Sequence, residues 1–355
     1  MATGLDGVIA AQTRLSHVDG EAGRLILRGF ELEQLAGHWT FEEVAALLWQ
    51  DIVPHAADLA GSLGQARCAA WQRFHPLLPQ LAGMSAIEGM RFLLAAVPDE
   101  PADATGLLGA AGVAMAAALR AATNAAPLSP NADAGHAADL LRMLRGQAGD
   151  ASEVRAFETY LVAAMDHGLN ASTFTARVVA STEAGLASAV VAALGALKGP
   201  LHGGAPGPVL DMLDAIAEAA NADAWIDAAI ARGERLMGFG HRIYRVRDPR
   251  ADVLKHAVSG LRGRDNRIAL AEAVEQAGLK ALARHKPGRR LDVNTEFYTA
   301  LLLEALAIAR CGFTPVFAAA RTAGWIAHAC EQQQTGRLLR PASQYIGPWP
   351  EPQAA

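Results

Sequence analysis

The chain is poor in cysteine, in aromatic residues and in net charge, and the shortages of cysteine and of charge exclude classes of protein. Only three of its 355 residues are cysteines. They form no CxxC pair, so neither a disulfide framework nor a thiolate metal site is predicted. The 31 basic and 36 acidic residues give a net charge of -5. Binding along a nucleic-acid backbone needs an excess of basic residues, so we expect no nucleic-acid partner.

A long uninterrupted apolar run is also missing. The most apolar stretch, 107–119, is rich in alanine and glycine, and it is shorter than the ~20 apolar residues that cross a bilayer. We therefore expect a buried helix there and no membrane partner. The first residues lack a basic segment followed by an apolar run, so no secretory signal is predicted. Together with the few cysteines, this predicts a cytoplasmic protein.

Small and aliphatic side chains are abundant instead. Hydrophobic residues make up 52% of the chain and aromatic residues 6%, a composition that suits closely packed helices. Apolar residues alternate around Asp19-Gly20 and Gly23, which is typical of a short β-hairpin. From Thr40 the pattern becomes helical, and Thr40 and Glu43 are spaced as a capping box.

Helices are predicted along most of the remaining chain. The stretch 185–198 is almost entirely apolar or small, so we expect that helix to be buried on all sides. Gly199-Pro200 should end it. The region 121–150 reads as a loop with one short helix. Further helices are predicted over 153–166, 172–183, 209–220, 224–236, 251–262, 266–276, 278–285, 298–309 and 315–334.

Three turns between helices carry titratable side chains. GPLHGGAPGP contains His202, GFGHRIYRVRDPR contains His241, and DVNTEFY places Glu296 at the start of a helix. Active sites often form on such turns. Taken singly, a histidine beside a glycine turn is more often a hydrogen-bonding residue than a catalyst. The two histidines show no short spacing and no paired acid, so no metal site is predicted.

Several ordered segments resemble the citrate synthase family. They are HGLNASTFTARVVAST, ALKGPLHGGA, GFGHRIYRVRDPRA, NTEFY, FTPVFAAARTAGWIAHACEQ and RLLRPASQYIGP, preceded by GVIAAQTRLSHVDGEAGRLILRG and TFEEVAALLW. The resemblance covers about 7–348. It implies an all-α, two-domain helical fold with a short N-terminal β-hairpin. The larger domain would comprise 1–206 and 312–355, and the smaller 207–311.

The resemblance also implies an acyltransferase that condenses acetyl-CoA with oxaloacetate, as in the tricarboxylic acid cycle. His202 matches the histidine that donates a hydrogen bond to the thioester carbonyl. His241 matches the histidine that polarises the ketone of oxaloacetate. Glu296 stands where the family has the aspartate that removes the α-proton. At the start of a helix capped by Asn294, its ionised form should be favoured by the helix dipole.

Binding residues are implied in the same way. His167, Arg250 and Arg321 match family residues that hold the oxaloacetate. Arg245 matches a residue that contacts the CoA phosphates, and Arg340 matches one that reaches into the neighbouring subunit's site. A homodimer with shared active sites follows. The CoA ester is a co-substrate, and no tightly bound cofactor is implied. Without the motifs, Arg250 and Arg321 would be expected in surface or helix-capping ion pairs.

This chain departs from the family pattern at several positions. Glu296 replaces aspartate, Thr299-Ala300 replaces Ser-Gly, Pro206-Gly207 replaces Asn-Glu, and Gly168 replaces glutamate. A glutamate can act as a base but is one methylene longer than aspartate. Two alternatives therefore stay open beside citrate formation. One is a 2-methylcitrate synthase that uses propionyl-CoA, and the other is a weakly active paralogue that binds CoA or 2-oxo acids. Retention of His202 speaks against a pure binding protein.

Overall fold

Helices form most of the protein, and one small antiparallel sheet lies near the N-terminus. The computed structural model describes residues 7–203, 206–241, 243–261, 267–286, 288 and 291–350. The helical class and the N-terminal hairpin predicted from the sequence are confirmed. The helices in these residues are α1 Leu32–Leu35, α2 Phe41–Trp49, α3 Leu59–Phe74, α4 Ala86–Leu94, α5 Ala104–Ala122, α6 His136–Arg145, α7 Ala151–Ala164, α8 Ala171–Ala180, α9 Leu186–Leu197, α10 Pro206–Ile216, α11 Ala222–Ala231, α12 Pro249–Ser259, α13 Ile268–His285, α14 Thr295–Ala305 and α15 Phe313–Thr335.

The sheet is the predicted hairpin with a third short strand added. Its strands are β1 Ser16–Asp19, β2 Arg24–Leu27 and β3 Phe30–Glu31, paired antiparallel in the order β1-β2-β3. The Asp19 carboxylate closes the β1–β2 turn, because it accepts the backbone N–H groups of Glu21 at 3.1 Å and Ala22 at 2.9 Å. An aspartate that bonds to the backbone two residues on is a common way of fixing such a turn.

The core is centred on α5, the helix predicted from the apolar stretch 107–119. By length and composition α5 could cross a membrane, but 78% of its most apolar window is buried inside the protein. α5 packs against α3, α4 and α15. A Cβ atom at Gly109 would lie 2.9 Å from the backbone of α3 at Ala66. The small residues of α5 therefore allow the close helix contacts that the composition suggested.

The predicted start of α2 is confirmed. The backbone N–H of Glu43 donates to Thr40 Oγ1 at 3.2 Å, and the backbone N–H of Thr40 donates to Glu43 Oε2 at 2.7 Å. This reciprocal pair satisfies two N–H groups that the helix leaves without intrahelical partners.

The burial predicted for one helix is only partly provided by its own chain. We expected the stretch 185–198 to be covered on all sides, but α9 is only partly covered within the single chain. Val191 and Ala192 are half-buried and Gly195 is exposed, while Val190 and Leu194 on the other face are buried. The apolar composition of a helix does not by itself determine which faces its own chain can cover.

A second correction concerns α13. Two helices, 266–276 and 278–285, were predicted, but one continuous helix runs from Ile268 to His285. Gly278 lies inside it, where an added Cβ would come within 2.4 Å of the Phe239 ring. That glycine makes room for an aromatic side chain and does not end the helix. The division of the chain into a larger and a smaller domain stays a prediction.

Candidate active site

Two of the three predicted turns lie side by side. The backbone N–H of Gly240 donates to the carbonyl of Asp292 at 2.8 Å, and that of Asn294 donates to the carbonyl of Gly238 at 2.9 Å. These bonds accompany an isolated antiparallel β-bridge between Phe239 and Val293, which no local sequence signal predicted. The bridge places His241, which follows Gly240, beside the start of α14.

Glycine is required at Gly238 for two reasons. Its φ is +78°, in the left-handed region that residues with a side chain rarely adopt. An added Cβ would also lie 2.9 Å from the ring of Phe297. Gly238 of GFGH therefore serves the turn geometry and close packing.

Glu296 lies in the first turn of α14, as predicted, and its backbone N–H donates to the capping Asn294 Oδ1 at 3.0 Å. The expected effect on its charge was wrong. Burial raises the pKa of Glu296 to about 7, although the charge of Arg250 acts in the opposite direction. Desolvation of the carboxylate thus outweighs the charge of Arg250. A carboxylate with a pKa near neutrality is well suited to general base catalysis.

His241 presents a defined tautomer. Its Nδ1 accepts the backbone N–H groups of Ile243 at 3.0 Å and Tyr244 at 3.1 Å, so the proton of the neutral ring resides on Nε2. Burial, followed by the charge of Arg250, lowers the pKa of His241 to about 4. The ring is therefore neutral at pH 7 and can donate from Nε2 to a bound ligand. The neighbouring Arg250 Nη2, at 3.4 Å, is itself a donor and cannot accept this bond.

His202, on the turn after α9, is oriented by Ser172 of α8. The backbone N–H of Ser172 donates to His202 Nε2 at 3.3 Å, and the Ser172 hydroxyl lies 2.9 Å from the same nitrogen. The proton of the neutral ring is then on Nδ1. Burial, followed by the charge of Arg321, lowers the pKa of His202 to about 4. Ser172 in turn accepts a hydrogen bond from Trp325 Nε1 at 3.1 Å.

His167 joins the same group from the segment after α7. Its ring centroid lies 5.6 Å from that of His241, and its Nε2 lies 3.2 Å from the hydroxyl of Tyr244. Burial, then the charges of Arg250 and Arg321, keep the pKa of His167 well below its usual value. Tyr244, like Ser172, was not singled out from the sequence. Both stand inside the quoted motifs, but nothing local shows that they contact histidines far away in the chain.

Arg250 is buried and paired with Asp248. Its Nε lies 3.0 Å from Oδ1 and its Nη2 lies 2.7 Å from Oδ2 of that carboxylate. The helix-capping ion pair considered for this arginine therefore exists. It is not on the surface, because Arg250 is only 4% exposed. Asp248 Oδ2 also accepts the backbone N–H of Thr295 at 3.2 Å. This carboxylate thus connects α12 with the first turn of α14.

Arg321 is buried in α15 and forms no ion pair with a carboxylate among the described residues. Its Nε–H donates to the carbonyl of Ala164, and its guanidinium carbon lies 4.8 Å from the ring centroid of Phe317. Its Nη2 has no hydrogen-bond partner among the described residues. Burial lowers the pKa of Arg321 to about 10, so it is charged at pH 7. A buried unpaired donor is costly, and a bound carboxylate would supply the missing acceptor. The surface ion pair considered for Arg321 is excluded.

The remaining predicted residues lie apart from this group. The side chain of Arg245 is exposed, although its backbone N–H donates to the carbonyl of Gly20 at 2.8 Å. Arg340 is exposed in the extended segment that follows α15. Their predicted contacts with CoA and with a neighbouring subunit stay predictions. Among the described residues, no group of three or more His, Cys, Asp or Glu side chains is placed to hold a metal ion.

The buried group combines two kinds of function. His202 and His241 are neutral imidazoles that can donate hydrogen bonds, and Glu296 is a carboxylate that can accept a proton near neutral pH. Arg250 and Arg321 are buried cations. Such a set can bind a small polyanion, remove a weakly acidic proton and stabilise the oxyanion that forms.

A family model described as "Citrate synthase, C-terminal domain" matches residues 4–342. The chain belongs to the citrate synthase family. It is therefore an acyltransferase of the condensing type, as the ordered motifs implied.

Named relatives and a solved structure agree with this. Over 359 aligned positions the chain is 37% identical to a "Putative citrate synthase 2" of Mycobacterium bovis, with 98% of this chain and 93% of the relative covered. It is 34% identical over 366 positions to a "2-methylcitrate synthase" of Mycobacterium tuberculosis, with 97% and 90% covered. A citrate synthase of Thermoplasma acidophilum, solved as a ternary complex with carboxymethyl coenzyme A and oxaloacetate, superposes with a TM-score of 0.88 at 26% identity, with 100% and 98% covered. The predicted citrate synthase-like fold is confirmed.

Proposed function

We propose that this protein condenses acetyl-CoA with oxaloacetate and, with water, releases citrate and CoA. The observation that carries the proposal is the pKa of Glu296, which burial raises to about 7 within a group of neutral histidines and buried arginines. The family relationship supplies the class of reaction. The residues supply a reason why acetyl-CoA and oxaloacetate suit this site.

The first step forms the enolate. The Glu296 carboxylate removes an α-proton from the acetyl group, and the electrons of that C–H bond move onto the thioester oxygen. Nδ1–H of His202 donates to this oxygen as its charge develops. A thioester α-proton is weakly acidic, so such a pre-arranged donor lowers the barrier as the proton leaves.

The second step forms the C–C bond. Arg321, whose Nη2 has no partner among the described residues, and Arg250 bind the carboxylates of oxaloacetate, with His167 beside them. Nε2–H of His241 donates to the ketone oxygen. The enolate carbon attacks the ketone carbon, and the electrons of the C=O π bond move onto the ketone oxygen. This oxygen takes the Nε2 proton of His241, which the ring regains from water. Water then cleaves the thioester, which releases citrate and CoA.

The identity of the acyl donor is the most specific part of the proposal. The chain is nearly as similar to a 2-methylcitrate synthase as to its citrate synthase relatives. One extra methylene in a pocket changes binding by only about 1–3 kcal/mol, so propionyl-CoA is the second candidate. The third candidate, a weakly active paralogue, is less well supported, because Glu296 retains the burial and proton affinity of a working base.

We further propose a cytoplasmic homodimer with shared sites and a role in the tricarboxylic acid cycle. The half-covered apolar face of α9 supports a second subunit, as does the exposed C-terminal segment, where Leu338, Ile346 and Trp349 are 56%, 90% and 76% exposed. Arg340 from that segment would complete the neighbouring site, and Arg245 would contact CoA phosphates. The three free cysteines are consistent with a reducing compartment.

The test is thiol release from acetyl-CoA and from propionyl-CoA, each with and without oxaloacetate. We expect oxaloacetate-dependent release that is faster with acetyl-CoA. Faster release with propionyl-CoA would replace citrate by 2-methylcitrate as the product. If neither ester releases thiol above the rate without enzyme, the protein is not a working condensing enzyme for these donors.

A further inference from the structure

The β1–β2 hairpin contacts both sides of the buried group. At its base, the Ser16 hydroxyl donates to the Asp166 carboxylate and accepts the backbone N–H of Gly168 at 3.1 Å. Asp166 and Gly168 are the immediate neighbours of His167. A single hydroxyl of β1 thus holds the two residues that flank a predicted oxaloacetate ligand.

The carboxylate at this contact is itself fixed from the opposite side. Arg177 Nε donates to His328 Nδ1 at 2.9 Å, so the His328 proton is on Nε2, which donates to Asp166 Oδ1 at 3.2 Å. Arg177, His328 and Asp166 are each at most 1% exposed. A buried and satisfied network of this kind is rigid. Ser16 therefore attaches the hairpin to an immobile part of the protein.

The tip of the same hairpin lies against the loop between His241 and Arg250. The carbonyl of Gly20 accepts the backbone N–H of Arg245 at 2.8 Å. A Cβ atom at Gly20 would lie only 2.4 Å from the carbonyl oxygen of Ile243. The contact is therefore backbone against backbone, and neither partner can move aside by changing a rotamer.

A second glycine of the tip extends this contact. An added Cβ at Gly23 would lie 2.7 Å from Val246 Cγ2. The hairpin thus contacts most of the loop. The His167 side and the loop also touch directly, through the Tyr244 hydroxyl at 3.2 Å from His167 Nε2.

We propose that the hairpin is a positioning element of the oxo-acid site, with Ser16 and Gly20 as its positioning residues. Ser16 holds the segment of His167, and Gly20 sets the distance between the hairpin and the loop that carries His241 and Arg250. The hairpin thereby fixes the spacing of ligands that lie far apart in sequence. The identity of the ligand as oxaloacetate rests on the proposed function, whereas the contacts themselves do not.

The kinetic test uses Gly20→Ala. Ordinary van der Waals contact begins at 3.4 Å and the new Cβ would start at 2.4 Å, so the loop must retreat by about 1 Å, a displacement that can cost about 100-fold in kcat/KM. The φ of Gly20 is not in the left-handed region, so alanine acts through this contact and not through its own backbone. We expect the KM for oxaloacetate to rise about tenfold or more, by a larger factor than kcat falls.

Matched variants separate positioning from general stability. Glu21→Ala alters an exposed side chain of the same tip and should leave the KM for oxaloacetate unchanged. Ser16→Ala should raise that KM, and Ser16→Thr, which keeps the hydroxyl, should restore it at least in part. If Gly20→Ala and Ser16→Ala lower the melting temperature but keep the KM of the unaltered protein, the hairpin is merely structural and the proposal is wrong.

Hydrogen–deuterium exchange of the free protein tests the contacts without any substrate. Gly20→Ala should speed amide exchange in the peptide covering 243–247, which includes the Arg245 N–H, and Glu21→Ala should not. Ser16→Ala should do the same for the peptide containing Gly168. If the unaltered protein does not turn over oxaloacetate, the proposed function fails, and this experiment still decides the hairpin's role. If neither Gly20→Ala nor Ser16→Ala changes amide exchange in its peptide, the proposed positioning role of the hairpin is overturned.

Discussion

The side-chain amide of Asn294 donates to the carbonyl of Gly240 at 2.8 Å, while its Oδ1 accepts the backbone N–H of Glu296 at 3.0 Å. One side chain therefore caps the helix of the proposed base and connects it to the turn of His241. The two bonds use opposite ends of the amide, so different substitutions can remove them separately.

Asn294→Ser should keep the cap and lose the connection, because serine is a good N-cap residue but too short to reach Gly240. Asn294→Ala should lose both and be less stable than the serine variant by about 1 kcal/mol. We expect kcat to fall about tenfold in both variants as His241 and Glu296 lose their relative placement. Urea unfolding and steady-state kinetics measure the two effects. A serine variant with full kcat would show that the connection is dispensable.

Ser172→Ala tests the support of His202. The variant loses the hydroxyl that lies 2.9 Å from His202 Nε2 and accepts from Trp325 Nε1. We expect kcat to fall about tenfold, with a loss of about 1 kcal/mol in unfolding free energy from the unpaired indole N–H. Thr175→Ala is the control, since that hydroxyl on the same helix donates to the carbonyl of Ala171 at 2.8 Å. Equal effects of the two substitutions would remove Ser172 from the account.

The raised pKa of Glu296 predicts a stability effect. Its folded pKa of about 7 lies above the ordinary value of 4.5, so the folded state binds the proton more tightly. The protein therefore loses stability as pH rises from about 4.5 to about 7, by up to roughly 3 kcal/mol at about 1.4 kcal/mol per tenfold change in proton affinity. Glu296→Gln should escape this loss.

The measurement is urea unfolding of Glu296→Gln and the unaltered protein at equal concentration. The variant should be more stable at about pH 8, with the difference shrinking towards about pH 5. If Glu296→Gln gains nothing at the higher pH, the carboxylate is better solvated than its position indicates.

Shared sites in a homodimer predict complementation. Arg340→Ala and His241→Ala should each be inactive, but a heterodimer would contain one site with both residues intact. Mixing the two proteins under conditions of subunit exchange should therefore restore part of the activity. If mass measurement shows that the subunits have exchanged and no activity returns, Arg340 does not serve the neighbouring site.

Candidate site residues could be named from the sequence, but their connections could not. Turns rich in glycine marked His202 and His241, and the capping pattern marked Glu296, because these signals are local. The bridge between the turns of His241 and Glu296, and the contacts of Ser172 and Tyr244, join residues far apart in the chain. No local pattern encodes which distant segment a turn will meet.

Helices were predicted well where their own residues decide the outcome. The capping box of Thr40 and Glu43 is an example, since its bonds lie within four residues. The errors arose where tertiary packing decides. The helices predicted over 266–276 and 278–285 form one helix, in which Gly278 accommodates Phe239, and the single chain covers only part of α9. The charge of Glu296 was misjudged for the same reason, because burial depends on the whole fold.

The condensation rate of Glu296→Gln across pH tests the central claim most directly. With oxaloacetate and acetyl-CoA, kcat/KM of the unaltered protein should rise with pH through a midpoint of about 7 as Glu296 ionises, since burial keeps the pKa of both His202 and His241 at about 4. Glu296→Gln should fold and bind oxaloacetate, yet lose nearly all condensation and the exchange of the acetyl α-protons with D2O at every pH. A Glu296→Gln protein that condenses at the unaltered rate would contradict the account.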